Sequence, residues 1–278
     1  MSICYLNGNF ENLNQAKISP LDRGFLFGDS LYEVMLSSKG NIFKLDLHLE
    51  RLNRNIEELG YKIPREIDFG QILQEIVHKN RHINQIVYLQ ISRGEDQVRN
   101  HIPSETITPT IFIYSHLMED NFGLSSGEKA MLVEDFRWRK SKIKATSLLA
   151  NVMCRIQSKQ EGFFEAILYE NENVTEGAVS NVFFCKDNLI KTPPTSQNIL
   201  PGVTRAVILD ILKKNNIACI EEDFTISQLK TADEIWVTNT TKGIIPIIEL
   251  DRKKVGSGKP GKSYKRVAKL FLNELKLS

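Results

Sequence analysis

No long apolar run occurs in the 278 residues: stretches such as Ile244 to Ile248 are interrupted by proline or polar residues. A spanning helix needs roughly 20 apolar residues, so none is expected. Neither sign of charge dominates, since Lys plus Arg total 36 against Asp plus Glu 34, a net charge of +2. That balance supplies no overall field for a nucleic-acid backbone or an anionic membrane. The opening MSICYLNGNFENL has neither a basic head nor an apolar signal segment, so a cytoplasmic location is expected. Cysteine is scarce: Cys4, Cys154, Cys185 and Cys219 lie at least 31 residues apart and form no CxxC pair. A metal knuckle and a disulfide framework are therefore not expected, and buried thiols are. His78 and His82 stand at i, i+4 and share one face if the segment is helical, but no third ligand accompanies them. A solvated helix face is the expectation.

What is present is a globular composition, 41% hydrophobic and 25% charged. Periodicity predicts strands over Ile3 to Leu6 and Gly40 to Lys44, then a helix over Asp46 to Leu59, with leucines at 47, 49, 52 and 59 and Gly60 as its stop. A second helix is predicted over Asp68 to Lys79, followed by strands over Gln85 to Ser92 and Thr110 to His116. The polar MEDNFGLSSGE marks a linker over 118–127, separating a smaller N-terminal domain, 1–117, from a larger domain, 128–278. Beyond it, strands are predicted over Lys129 to Asp135, Glu165 to Tyr169, Asn181 to Cys185, Glu234 to Val237 and Ile244 to Leu250. Helices are predicted over Ser147 to Gln160, Gly202 to Asn215 and Tyr264 to Leu277. The fold class is α+β with two domains.

Residues 256–263, GSGKPGKS, satisfy the phosphate-loop pattern G-x-x-x-x-G-K-[ST]. Only 15 residues follow, too few for the strands of a nucleotide-binding sheet, and Pro260 removes an N–H from the loop. A surface turn is expected.

Three other features point to lysine chemistry. Lys144, in Ile143-Lys144-Ala145-Thr146-Ser147, lies between the Asp135-Phe136-Arg137-Trp138 run and a predicted helix, where desolvation would make an amine nucleophilic towards an aldehyde. Glu176, in VTEGAVSN, stands in a predicted tight turn before the apolar Val182-Phe183-Phe184 and could keep a pyridine nitrogen protonated. Leu200-Pro201-Gly202-Val203-Thr204-Arg205 opens a helix, and Thr238-Asn239-Thr240-Thr241 follows a strand. Free N–H groups and hydroxyls of this kind suit a phosphate dianion. Taken singly, an ordinary helix-start lysine, a turn glutamate and a structural N-cap would look the same.

The ordered set HLERL with Arg51, RWRKSKIKATSLLANV, VTEGAVSNVFF, ILPGVTR and VTNTTKGIIPI resembles the fold type IV, or class IV, pyridoxal phosphate-dependent aminotransferases, most of all those acting on D-amino acids. The resemblance runs from GDSLYEV at 28–34 to GSGKPG at 256–261, and it identifies the apparent phosphate loop as a family turn. It implies pyridoxal 5'-phosphate as cofactor, bound as a Schiff base by Lys144, which also moves the substrate α-proton. Glu176 would pair with the ring nitrogen and Leu200 pack on a ring face. Arg51, Val203, Thr204, Asn239, Thr240 and Thr241 would hold the phosphate. Tyr32, Arg99 and His101 would bind the substrate carboxylate, which suits an arginine fork, an imidazole and a phenol. Arg99-Asn100-His101-Ile102-Pro103 is one residue shorter than the family's Arg-x-His-x-Phe-Pro, Ser30 stands where glycine is usual, and Asn239 where serine is usual.

The implied activity is transfer of an amino group from a D-amino acid to a 2-oxo acid by a homodimer, without metal, nucleic acid or membrane. The same cofactor motifs serve 4-amino-4-deoxychorismate lyase and branched-chain aminotransferases, which stand second and third. A catalytically silent protein of this fold would have lost Lys144 or Glu176, and both are present.

Overall fold

The computed structural model of the protein describes residues 2–118 and 123–277. Residues 119–122 of the expected 118–127 linker lie outside the described residues. Two units emerge, one formed by the N-terminal part with Ile143–Ser147, the other by the chain up to Lys142 and then Leu148–Leu277.

The first unit contains β1 (Ile3–Leu6), β2 (Asn9–Asn12), α1 (Arg23–Phe27), β3 (Ser30–Ser38), β4 (Asn41–Ile42), α2 (Leu45–Leu59), α3 (Phe69–Asn80), β5 (Asn84–Ser92) and β6 (Thr110–Leu117). Its strands form an antiparallel sheet in the order β2-β1-β6-β5-β3-β4. The pleat sends alternate residues to opposite faces. Leu31, Met35, Val87, Leu89, Ile91, Ile111 and Ile113 are buried in one core with Leu52 of α2 and Leu73, Ile76 and Val77 of α3. The intervening Tyr32, Tyr88, Gln90, Phe112 and Tyr114 are only half-buried, and the four aromatic rings among them stack or tilt against one another at 5.5 to 6.0 Å.

Helix α2 corrects the leucine reading of its face. Its buried residues are His48, Arg51, Leu52 and Asn55, at helical spacing, whereas Leu47, Leu49 and Leu59 are half-buried. The cause is Glu33, which alternation places on the buried face of β3; a buried carboxylate needs charged or hydrogen-bonding partners, and α2 supplies them. Helix α3 begins as expected, with Asp68 accepting the Gln71 N–H, but stops at Asn80, where Arg81 turns left-handed. His82 is therefore off the helix, and the pair with His78 is not formed on one helical face.

The second unit contains β7 (Glu128–Glu134), α4 (Leu149–Gln160), β8 (Glu165–Glu170), β9 (Asn173–Gly177), β10 (Asn181–Lys186), β11 (Leu189–Thr192), α5 (Val203–Lys214), β12 (Cys219–Glu221), α6 (Ile226–Lys230), β13 (Glu234–Asn239), β14 (Gly243–Leu250), β15 (Lys253–Lys254) and α7 (Lys262–Leu277). Its nine-stranded sheet runs β12-β11-β10-β13-β14-β7-β8-β9, with β15 on β14. The β14-β7-β8 pairings and β11-β12 are parallel, the others antiparallel. One core face joins Val182, Phe184, Ile235, Val237, Ile245 and Ile247 to Phe224 and Leu229. The buried rings of Phe183 and Trp236 stack at 6.1 Å, and α5 and α7 pack together.

The phosphate-loop lookalike is used up by structure. At the start of α7 the N–H groups of Ser263 and Tyr264 donate to the two oxygens of Glu234, at 2.9 and 2.7 Å. These are the donors a phosphate would need. Gly256 has φ +50, and a Cβ there would stand 2.2 Å from the Asp233 carbonyl oxygen, so the turn requires glycine.

Candidate active site

Lys144 belongs to the first unit because its backbone is an extra rung on β3. The Tyr32 N–H donates to the Lys144 carbonyl at 3.0 Å, the Thr146 N–H donates to the Ser30 carbonyl at 2.9 Å, and Leu31 bridges Ala145. A division of the chain at one linker does not anticipate this, since the pairing joins residues more than 100 apart in sequence. The Ser30 hydroxyl, in the position where the family has glycine, contacts the Thr146 hydroxyl and accepts from Gln90 Nε2. Gln90 in turn accepts from the Tyr88 hydroxyl at 2.7 Å. Lys144 Nζ lies 4.1 Å from the centroid of the Tyr32 ring, which stacks on Tyr88. The half-buried Lys144 side chain thus ends over an aromatic face.

Arg51 is 3% exposed and meets Glu33 by two parallel bonds of 2.7 Å, Nε to Oε1 and Nη2 to Oε2. His48 donates Nδ1–H to the same Oε2 at 2.7 Å. Burial pushes the Glu33 carboxyl up, but the Arg51 charge and bonds, aided by His48, outweigh it and hold the group at about 2. His48 is lowered, chiefly by burial, and is therefore neutral.

Arg99 and His101 are exposed and sit on one ring: the Arg99 guanidinium is 4.7 Å from the Phe27 centroid and the His101 ring 5.4 Å. Arg23 fixes the backbone beneath them, donating from Nη1 to the Asn100 carbonyl at 2.5 Å and from Nη2 to the His101 carbonyl at 2.9 Å. The Tyr32 ring instead meets Tyr88 and Lys144, so the three expected carboxylate ligands occupy two separate contact groups. Arg23 itself does not stand out in the sequence. The available signal is a cation directly after Asp22, which caps α1.

In the second unit Glu176 is the fourth residue of strand β9, and the turn expected at Glu176 itself comes after Gly177, which bridges Ser180. Its carboxylate is 4% exposed and fully engaged. Oε1 accepts from Arg137 Nη1 at 2.5 Å, while Oε2 accepts from Asn181 Nδ2 and from the Leu200 N–H, both at 3.1 Å. Arg137 also forks onto Asp135, Nε to Oδ1 at 3.0 Å and Nη2 to Oδ2 at 2.8 Å, and the Thr175 hydroxyl donates to Asp135 Oδ2. Burial pushes the Glu176 carboxyl up, the Arg137 charge and bond and the Leu200 N–H pull it down, and Asp135 pushes it up again; the result is about 7. A carboxyl poised there can take or release a proton near neutral pH.

Asn181 links Glu176 to the start of α5, since the same Nδ2 donates to the Leu200 carbonyl at 2.9 Å. Gly202, the α5 N-cap, provides no side-chain cap, and a Cβ on it would lie 2.1 Å from Asn181 Oδ1. The first N–H groups of α5, at the buried Val203 and Thr204, are left for another acceptor. At the end of β13, Asn239 Oδ1 accepts from the Thr241 hydroxyl at 3.2 Å and the Lys242 N–H at 2.8 Å, so that side chain closes the turn. Thr240 beside it is half-buried, and the Thr238 hydroxyl is buried with no partner among the described residues. Each unit carries groups whose chemistry suits pyridoxal phosphate: in the first, an amine beside an aromatic ring; in the second, a buried carboxyl and an uncapped helix start with hydroxyls. Among the described residues no cluster of metal-binding side chains occurs and no helix is long and apolar enough to cross a membrane.

The sequence model of the class IV amino-transferases matches residues 30–250. The D-alanine aminotransferase of Staphylococcus haemolyticus is 36% identical over 94% of this chain and 93% of its own length. That of Bacillus licheniformis is 34% identical over 97% and 95%. Among solved structures, the branched-chain amino acid aminotransferase of Escherichia coli superposes with a TM-score of 0.89, covering 98% of this chain and 94% of its own, at 22% identity, a likeness of fold. With a family match across most of its length and relatives above 30% identity end to end, the chain belongs to the class IV aminotransferases, enzymes dependent on pyridoxal 5'-phosphate.

Proposed function

We propose that the protein transfers the amino group of a D-amino acid, such as D-alanine, to a 2-oxo acid. The observation that carries this reading is the Arg99–His101 pair seated together on Phe27, on a loop that Arg23 bolts down. A guanidinium fork and an imidazole N–H bind a carboxylate by charge-assisted bonds, and fixing the substrate by its carboxylate decides which enantiomer turns its α-hydrogen towards the lysine. The relatives named D-alanine aminotransferase support the same choice.

When bound, pyridoxal phosphate supplies an aldehyde for amine capture and a ring that withdraws electrons from the substrate α-carbon. Lys144 would provide the capturing amine and would move the proton of the substrate α-carbon. Tyr32 would shield one side of Nζ from water, and its phenol, in a contact group separate from Arg99 and His101, would be a further donor to the substrate. Glu176 would hold a proton at the ring nitrogen, and Leu200 would pack against the ring. The Val203 and Thr204 N–H groups and the Asn239–Thr241 turn would hydrogen-bond the phosphate, and Arg51, whose charge Glu33 balances, would add a further donor.

The reading extends to a cytoplasmic homodimer. Leu149, Val152, Met153 and Ile156 form an exposed stripe along α4, at the spacing of one helical face, and suit a second copy of the chain. Size-exclusion chromatography with light scattering should return twice the 31.8 kDa of one chain.

A paired assay tests the activity. Cofactor-loaded protein given D-alanine and 2-oxoglutarate should yield pyruvate and D-glutamate, with L-alanine inert. p-Aminobenzoate released from aminodeoxychorismate, without transamination, would replace this reading with the lyase.

A further inference from the structure

Three titratable groups, Asp135, Arg137 and Glu176, meet in one buried cluster. Asp135 and Arg137 come from the segment that follows β7, and Glu176 comes from β9. Asp135 and Arg137 neutralise each other through two bonds, so the cluster is electrically balanced before Glu176 is counted. An ionised Glu176 leaves one net negative charge in a site where the side chains of Arg137 and Glu176 are each 5% exposed. A neutral Glu176 removes that charge, and so does a cation brought against it.

The remaining neighbours carry no compensating charge. From β10 comes the neutral amide of Asn181, from the segment before α5 the Leu200 N–H, and the Asn198 carbonyl accepts from Arg137 Nη2 at 3.2 Å. Cys154 of α4 feels both Asp135 and Arg137, and burial raises its thiol, so it is neutral. Glu165 of β8, the next buried carboxylate, is turned to Arg155 and Ser180.

We propose that Asp135 and Arg137 form a charge-setting brace, in which Asp135 occupies half of the Arg137 guanidinium so that Glu176 stays free to keep its proton or pass it to the ring nitrogen of the bound cofactor. Both are positioning residues. The exchange moves one proton: neutral carboxyl with neutral ring nitrogen becomes carboxylate with pyridinium, and the total charge is unchanged. Without Asp135, the whole guanidinium would bear on Glu176 and strip it of its proton at lower pH. Without Arg137, the lone Asp135 charge would make Glu176 keep its proton to higher pH. This rests on the reading of Glu176 as partner of the ring nitrogen.

The test is a 13C-glutamate NMR titration of the full-length apoprotein, with the Glu176 carboxyl identified by its loss in Glu176→Gln. The expected order of Glu176 midpoints is Asp135→Asn lowest, then wild type, then the double variant Asp135→Asn/Arg137→Met, then Arg137→Met highest. The outer steps should be about one pH unit or more, a tenfold change in proton affinity. A purely structural role would lower stability without that ordering. If Arg137→Met does not fold, Asp135→Asn and the charge-balanced double variant still give three points. An Asp135→Asn midpoint that stays put or rises overturns the brace. The same series is then loaded with pyridoxal phosphate and the ring absorbance followed against pH. Ordered midpoints in the apoprotein with unshifted ring absorbance would uphold the brace and remove Glu176 from the ring nitrogen.

Discussion

Glu33 in the first unit and Glu176 in the second are both buried against an arginine, yet Glu33 is held at about 2 while Glu176 is raised to about 7. Burial pushes both upward, so the difference lies in what the arginine does. Arg51 gives Glu33 two short bonds and His48 adds a third, whereas Arg137 gives Glu176 a single bond and divides its charge with Asp135. A carboxylate that owns its arginine is a permanent anion and a structural strut. One that shares it stays close to neutral and remains available for proton chemistry.

Removing each carboxylate should separate the two roles. Glu33→Gln takes the balancing charge from a buried guanidinium and should cost about 3–5 kcal/mol in urea unfolding of the apoprotein. Glu176→Gln replaces a group already near neutrality and should cost about 1 kcal/mol. Equal losses would erase the distinction.

Their pH dependence runs in opposite senses. The folded value of Glu33 is depressed, so its contribution is present above the unfolded value of 4.5 and is lost as pH falls from 4.5 towards 2. Glu176 is raised, so the folded state binds its proton more tightly. That stability is full below 4.5 and lost as pH rises from 4.5 through 7. Each swing amounts to about 3 kcal/mol from a shift of about 2.5 units. Thermal unfolding of the apoprotein between pH 5 and 8 should show a decline that Glu176→Gln flattens and Glu33→Gln does not.

In the loaded enzyme, Glu176→Gln should lower kcat on the order of 100-fold by weakening the hold on the ring proton. An unchanged single-turnover rate would take Glu176 out of the chemistry. The smallest effect is expected at the exposed loop: Arg99→Ala should raise KM for D-alanine about tenfold, a loss of roughly 1.4 kcal/mol, with both buried pairs untouched. A wild-type KM would take Arg99 away from the substrate.

Parts of this comparison are legible in the sequence, and others are hidden for a physical reason. Lys144, Glu176 and the Gly202 helix start stand in short contiguous motifs, where local order carries the signal, and the two main helices of the first unit end at Gly60 and begin at Asp68 by local capping. Ser30–Ser38 does not read as a strand, because a charged residue interrupts its apolar side, and leucine spacing misplaces the buried stripe of α2 for the same cause. Both follow from a pairing between Glu33 and Arg51, 18 residues apart. Arg137 reaches Glu176 across 39 residues, and Ser30 reaches Thr146 across 116. No window short enough to show periodicity contains these partners. Polar residues brought onto buried faces by distant partners are the ones that periodicity misses, and they include the residues that set the charges of the site.

The central claim is that Lys144 is the residue that takes up the cofactor. Borohydride reduction of the protein loaded with pyridoxal phosphate, followed by peptide mass mapping, tests it without reference to turnover. The account predicts a stable pyridoxyl adduct on the peptide bearing Lys144, absent from Lys144→Ala. An adduct on another lysine, or one that persists in Lys144→Ala, would contradict it.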